Sequence, residues 1–354
     1  MRSVHPATGE LIRDYPDHDE NEIASRLDAA ATAFADWSRR GVDERTACLR
    51  ALAARLRADL AGHAALMCAE MGKPIAQAEA EVAKCAATCE WFAERAAALL
   101  APEPVLTQTT DCHVRFDPLR VVLAIMPWNF PFWQVIRCAA PALVAGNTVV
   151  LKHAANVPGC ALALEQAFAR AGFPPGVFTT LLIPARAVGE VIAHPAVRAV
   201  SLTGSPAAGR QVAALAGAAL KKTVLELGGS DAFVVLADAD LGSAVAAAVA
   251  GRIINNGQSC IAAKRFIVEA PVAEAFEQAL IARMAELRVG DPRDREVQLG
   301  PLARPDLVDE LEDQVRRSVA AGALLRLGGR RRDGPGCYFP PTVLTGVEPG
   351  MAAF

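Results

Sequence analysis

The stretch VVLAIMPWNFPFWQVIRCAAPALVAGNTVVL, Val121 to Leu151, decides the fold. It opens on six apolar residues, Val121 to Met126, and closes on Thr148 to Leu151, both short, apolar and mostly β-branched, as strands are. Between them, Trp133 to Ala145 carries apolar residues at helical spacing. Strand, helix and strand in so short a run form a parallel crossover unit. Pro127, Pro131, Arg137 and Pro141 flank and break the uncharged stretch, which a membrane-spanning helix tolerates poorly.

The alternation continues downstream. Val177 to Leu182, Ala199 to Leu202 and Thr223 to Leu227 read as further strands. Pro158 to Ala171, Ala185 to Ala193 and Ser205 to Ala216 read as the helices between them. The pattern predicts an α/β fold with a parallel sheet covered on both faces. After Gly228-Gly229 it restarts with strand Ala232 to Leu236, helix Ala239 to Arg252, strand Arg265 to Val268 and helix Val272 to Leu287, which places a domain boundary there. Upstream, Asp19 to Arg39, Asp43 to Met71 and Ala76 to Leu99 have helical periodicity, punctuated by Gly41, Gly72 and Pro74.

At 354 residues, 53% hydrophobic and 21% charged, the chain is globular and long enough for two domains. A net charge of -3 provides no basic field for nucleic acid or for an acidic membrane, so small molecules are the expected partners. The nine cysteines are odd in number and show neither CxxC pairing nor zinc-site spacing. No metal is expected. The reading is a reducing cytosol with most thiols as small buried apolar groups. Met1 to Asp19 has acidic residues and no apolar core, unlike a signal or transit peptide.

Several positions can carry chemistry. Cys260 ends the polar turn Asn255-Asn256-Gly257-Gln258-Ser259, where it is either a nucleophile or one more packing thiol. Glu226 stands at the carboxyl end of an apolar strand, before Gly228-Gly229. If buried among leucines its pKa is raised and it can act as a general base; otherwise it simply faces solvent. Ser201 to Gly209 runs from strand to helix and holds Gly204, Ser205 and Gly209. It is an ordinary turn or a phosphate cradle, but neither GxGxxG nor a Walker loop. Lys152 follows the strand Thr148 to Leu151, either solvated or reaching a ribose or phosphate. Asn129, amid the rings of Trp128, Phe130 and Phe132, is a turn-former or an oxyanion donor.

Taken in order, Pro127-Trp128-Asn129-Phe130-Pro131, Leu151-Lys152, Thr203-Gly204-Ser205 with Gly209, Glu226-Leu227-Gly228-Gly229 and Asn256-Gly257-Gln258-Ser259-Cys260 resemble the aldehyde dehydrogenase superfamily over nearly the whole chain. The segments Leu151 to Pro158, Glu226 to Asp231 and Asn256 to Arg265 look most like its short bacterial succinate-semialdehyde dehydrogenases. The resemblance implies a Rossmann-type nucleotide-binding domain over 1–229, with a helical N-terminal part and a projecting hairpin at about 105–118. A second α/β catalytic domain is implied over 230–354.

The implied mechanism assigns roles to these residues. Cys260 attacks the aldehyde, with the Asn129 amide and the Cys260 backbone N–H holding the oxyanion, and Glu226 activates the water that hydrolyses the thioester. NADP or NAD is the implied cofactor, with Met126, Pro127, Trp128, Lys152, Ala155, Gly204, Ser205, Gly209, Leu227 and Gly228 around it. Arg137, eight residues beyond Asn129, is implied to grip the distal carboxylate of the substrate. A homodimer or homotetramer in the cytoplasm is the implied assembly.

Three departures accompany the resemblance. Members that prefer NAD commonly carry a glutamate where Ala155 stands; without it, repulsion of a 2′-phosphate is removed and NADP is admitted. Arg120 occupies a position where many members have glycine. Members also continue beyond Phe354 into Glu-x-Phe-Gly-Pro, so the catalytic domain is expected to be incomplete and the 354-residue chain a poor catalyst. The other reading is a non-catalytic paralogue that acts only by assembly with partners.

Overall fold

Five strands run parallel in the order Phe178–Thr180, Thr148–His153, Val121–Met126, Val197–Gly204 and Lys222–Leu227 in a computed structural model that describes residues 1–354. The first strand in sequence is central, and the chain winds outward from it in both directions, the arrangement of a doubly wound sheet. Val121–Met126 and Thr148–His153 are buried along nearly their whole length, as strands covered on both faces must be. One core gathers Val121, Leu123, Val150, Val200 and Leu202 of the strands with Leu27, Val191, Ile192 and Val212 of helices.

Helix Glu20–Trp37 starts on a capping box: Glu22 N–H donates to Asp19 Oδ1 at 2.8 Å, and Asp19 N–H donates to Glu22 Oε2 at 3.0 Å. The single helix expected over Asp43 to Met71 is two helices, Val42–Ala58 and Leu60–Met71. Asp59 leaves the helical conformation between them, at φ -110° and ψ 27°. Its carboxylate lies where a Cβ on Gly62 would stand, so a short polar side chain competes with the helix at a glycine that makes room for it. A short antiparallel hairpin pairs Glu103–Pro104 with His113–Val114. Helix Ile75–Leu99 is the longest element, and no helix is long and apolar enough to cross a membrane.

The chain forms two compact units. The first holds Met1–Ser3, Arg13–Leu66 and Glu79–Leu227; the second holds Val4–Ile12, Met67–Ala78 and Gly228–Phe354. In the second, Ala232–Val235 and Arg265–Val268 pair in parallel, and Val235 packs with Val245, Val249, Phe276 and Leu280 of helices Leu241–Ile253 and Ala270–Ala285. The sequence reading named no elements after Leu287. The structure adds helix Pro305–Ala320 and the antiparallel pair Leu324–Leu327 with Val343–Thr345.

Candidate active site

In the first unit, the carboxyl edge of the parallel sheet collects almost every residue singled out above. Met126 ends the central strand and Pro127, Trp128 and Asn129 follow it. Lys152 is the last residue but one of one neighbour, Gly204 ends the other, and Glu226 and Leu227 end the outer strand. Ala155 is exposed in the turn after His153. A parallel sheet puts all its carboxyl ends on one edge, so residues a hundred positions apart meet there without any local signal.

The aromatic loop is fixed from outside its own sequence. Helix Trp133–Val144 has no side-chain cap of its own. Its first amides, Phe132 and Trp133, both donate to Glu81 Oε1 at 2.9 Å, from the long helix Ile75–Leu99. His153, fully buried, holds the other side: its Nε2 lies 2.9 Å from Pro131 O, and its Nδ1 lies 2.9 Å from the N–H of Ala154. Donation from Nε2 and acceptance at Nδ1 satisfy these two contacts in the neutral tautomer, while Met126 O, 3.2 Å from Nδ1, receives a proton from the ring only in the cation. Burial pushes the His153 pKa down to about 4, against hydrogen bonds to Pro131 and Met126 that favour the cation. The loop bearing Asn129 is thus pinned by a carboxylate and a neutral imidazole.

Lys152 corrects the expectation of a strand ending at Leu151. The strand runs on to His153, and Lys152 is only 9% exposed. Burial lowers its pKa, and no hydrogen bond or ion pair within the chain compensates. A buried ammonium lacking an internal partner at a sheet's carboxyl edge suits the hydroxyl or phosphate oxygens of a nucleotide. The glycine turn divides into separate roles. Ser205 caps helix Pro206–Ala218 through Ala208 N–H at 3.2 Å. A Cβ on Gly209 would stand 2.7 Å from Leu227 Cδ2, so this glycine serves close packing of helix on strand.

Glu226 is not the buried carboxylate that the leucines around it suggest. Its strand lies at the sheet edge and its side chain is 54% exposed. Arg137, in the second turn of helix Trp133–Val144, reaches it: Nη1 lies 3.6 Å from Glu226 Oε2, and Nη2 donates to Thr203 Oγ1 at 3.2 Å. Thr203, quoted in the glycine-turn motif but given no role of its own by the sequence, shares this guanidinium.

The second unit holds Cys260, and Gly228 falls within that unit as well. Burial pushes the Cys89 thiol up to about 12 and raises those of Cys48 and Cys138. Cys260 instead sits partly exposed on a loop. Three consecutive residues before it, Asn255, Asn256 and Gly257, have φ of 55°, 56° and 75°, a left-handed turn that asparagine tolerates better than other side chains. Partners remote in sequence hold it. Asn255 N–H donates to Gln77 Oε1 at 2.7 Å. The Asn256 amide donates to Gly72 O and Pro301 O and accepts from Gly300 N–H, all within 2.9 Å.

On the far side of the cysteine, Lys264 Nζ donates to Cys260 O at 3.0 Å and also to Gly229 O. Arg252 binds Ala263 O at 3.0 Å and also Gly257 O. Burial, with Arg252 nearby, holds the Lys264 pKa below its usual range. Gln77 and Arg252 carried no sequence signal beyond being polar residues in apolar company, and Lys264 stood in the segment Asn256 to Arg265 without a role of its own. Arg120, the residue standing in place of glycine, adopts φ of 122°, a conformation that glycine reaches freely and arginine does not.

Comparison with known proteins matches this architecture throughout. The model of the aldehyde dehydrogenase family matches residues 1–354. The chain is 50% identical over 352 residues to the NAD(P)+ succinate semialdehyde dehydrogenase Sad of Escherichia coli strain K12, covering 99% of this chain and 76% of that protein. It is 49% identical over 354 residues to a probable NADP(+) succinate-semialdehyde dehydrogenase of Synechocystis, covering 100% of this chain and 78% of that protein. The succinic semialdehyde dehydrogenase of Streptococcus pyogenes, solved in complex with NADP+, superposes with a TM-score of 0.97 at 34% identity, covering 99% of this chain and 78% of that one. Fold, motif order and identity over the full span agree, and the chain belongs to the aldehyde dehydrogenase family.

Proposed function

We propose that the chain oxidises succinate semialdehyde to the carboxylic acid with NADP+ or NAD+. The observation that carries this reading is the guanidinium of Arg137 at the carboxyl edge of the sheet, part exposed and able to receive a carboxylate where most of the singled-out residues converge. The names of the similar proteins support the same substrate. Asn129 and the Cys260 N–H hold the oxyanion formed when the Cys260 thiolate adds to the aldehyde carbon. The nicotinamide, when bound, supplies the acceptor for the hydride that leaves this adduct. Lys152, with Met126, Pro127, Trp128, Ala155, Gly204, Ser205, Leu227 and Gly228, holds that cofactor, while Gly209 keeps the helix close to Leu227.

Hydrolysis closes the cycle. Glu226 takes a proton from water, the oxygen adds to the thioester carbon, the C–S bond breaks, and the Cys260 thiolate departs. Ala155 leaves room for a 2′-phosphate and applies no repulsion to it. Residues 1–229 then act as the nucleotide-binding part and 230–354 as the catalytic part, in a cytoplasmic homodimer or homotetramer. The test is Glu226→Gln in a stopped-flow assay: it keeps the first turnover of NADPH and loses the steady rate. A variant that turns over steadily at the parent rate removes Glu226 from the reaction. Ala155→Glu is expected to shift preference toward NAD+, read as the ratio of kcat/KM for the two cofactors.

A further inference from the structure

Two facts about Arg137 bear on each other. It is the proposed anchor for the distal carboxylate of the substrate, and its Nη1 already faces a carboxylate, that of Glu226, at 3.6 Å. The contact is looser than other arginine pairs on the same molecule, such as Arg293 with Asp291 at 2.6 Å and Arg115 with Asp117 at 2.8 Å. Arg137 and Glu226 are 36% and 54% exposed, so water can replace either partner cheaply. Thr203 occupies the other amino group, Nη2, at 3.2 Å. A carboxylate that arrives on Arg137 therefore competes for the amino group that Glu226 uses.

We propose that Glu226 and the distal carboxylate of the substrate take turns on Arg137, so that a bound carboxylate releases Glu226 to act as the base. This rests on the reading of Arg137 as anchor and Glu226 as base given above. Before substrate binds, the guanidinium holds Glu226 aside. A four-carbon semialdehyde takes Nη1 with its own carboxylate, and the freed Glu226 swings to the water of hydrolysis. An acyl group of the same length without a carboxylate leaves the pair intact and Glu226 held. The device couples recognition at one end of the substrate to hydrolysis at the other. Because an exposed ion pair is weak, the release changes the rate by a factor between about 1.5 and 5.

Activated esters isolate the step without any nicotinamide. 4-Nitrophenyl butyrate and mono(4-nitrophenyl) succinate acylate Cys260 with release of 4-nitrophenolate; the burst reports acylation and the following steady rate reports hydrolysis of the thioester. Arg137→Met is expected to speed hydrolysis of the butyryl enzyme about 1.5- to fivefold while slowing acylation by the succinate ester alone. In the unaltered protein, acetate added at tens of millimolar is expected to accelerate butyryl hydrolysis by a similar factor, and to lose that effect in Arg137→Met. Butyryl hydrolysis unchanged or slowed in the variant, or unaffected by acetate in the unaltered protein, overturns the exchange. Equal slowing of acylation by both esters overturns instead the assignment of Arg137 as anchor, and the exchange with it.

Discussion

The sheet edge of the first unit and the cysteine loop of the second solve the same problem by opposite means. At the edge, Met126, Lys152, Gly204 and Glu226 lie in the last two residues of parallel strands whose hydrogen-bonded register already sets their spacing. The loop from Asn255 to Lys264 has no such lattice. It turns through three left-handed residues and is held by side chains reaching backbone groups, from Gln77, Asn256, Arg252 and Lys264. A repeated backbone pattern positions side chains economically, whereas Cys260, the proposed nucleophile, stands where regular structure is interrupted and every backbone group must be satisfied individually.

The largest expected effect tests whether the irregular region carries the chemistry. Cys260→Ser is expected to lower kcat by about a thousandfold or more, since a hydroxyl lacks the nucleophilicity of a thiolate. Steady turnover near the parent rate moves the chemistry elsewhere. The next sharpens the contrast in how the regions are held. Asn256→Ala deprives Gly72 O, Pro301 O and Gly300 N–H of their partner and puts a Cβ-bearing residue at φ 56° with no compensating bond. The expected loss is about 3 kcal/mol, read from the urea midpoint. A loss under about 0.5 kcal/mol would mean that the loop holds its shape by itself.

The corresponding test at the sheet edge is a pH dependence. His153 is neutral in the fold with a pKa of about 4, against 6.5 for the ordinary group. Its contribution to stability is fully present above pH 6.5 and is lost as pH falls from 6.5 to 4, where the unfolded chain takes up a proton that the fold refuses. The loss is on the order of 3 kcal/mol. His153→Gln is expected to flatten that part of the curve in urea titrations between pH 7 and 4; an unchanged slope assigns it to other groups. The smallest effect concerns backbone strain. Arg120→Gly relieves a φ of 122° and is expected to stabilise by about 1 kcal/mol, after the added entropy of the unfolded glycine, as a rise of a few degrees in Tm. A fall in Tm means that the arginine side chain contributes more than its backbone loses.

How much was legible in the sequence follows the same division. The strands Val121–Met126 and Arg265–Val268 and the helix beginning at Trp133 stand where periodicity puts them, because their apolar residues report burial directly. Lys152 misled because its charge looks like a strand end, whereas the sheet buries it. Glu226 misled in the reverse sense: leucines on either side suggest burial, but the strand lies at an edge, and position in the sheet order is a property of the whole chain. The cap that Glu81 supplies, the clamp from Gln77 and the fit of Gly209 on Leu227 join residues far apart in sequence and had no local signature. Helix Pro305–Ala320 did have one: Pro305 stands in its first turn, and Leu307, Val308, Leu311 and Val315 follow at helical spacing.

The tethers of Asn256 also order events in time. Its three partners lie 184, 44 and 45 residues away along the chain. Contacts that distant must first overcome the entropy of closing long loops, so they belong to the last steps of folding rather than to its nucleus. The left-handed turn has no reason to persist until Gly72, Gly300 and Pro301 have arrived. Pulsed hydrogen exchange during refolding is therefore expected to protect the amide of Gly300 after those of the Val121–Met126 strand; earlier protection would contradict this order. The cysteine proposed as nucleophile is then among the last positions to take shape, and a half-folded molecule carries its sulfur without the tethered loop that surrounds it.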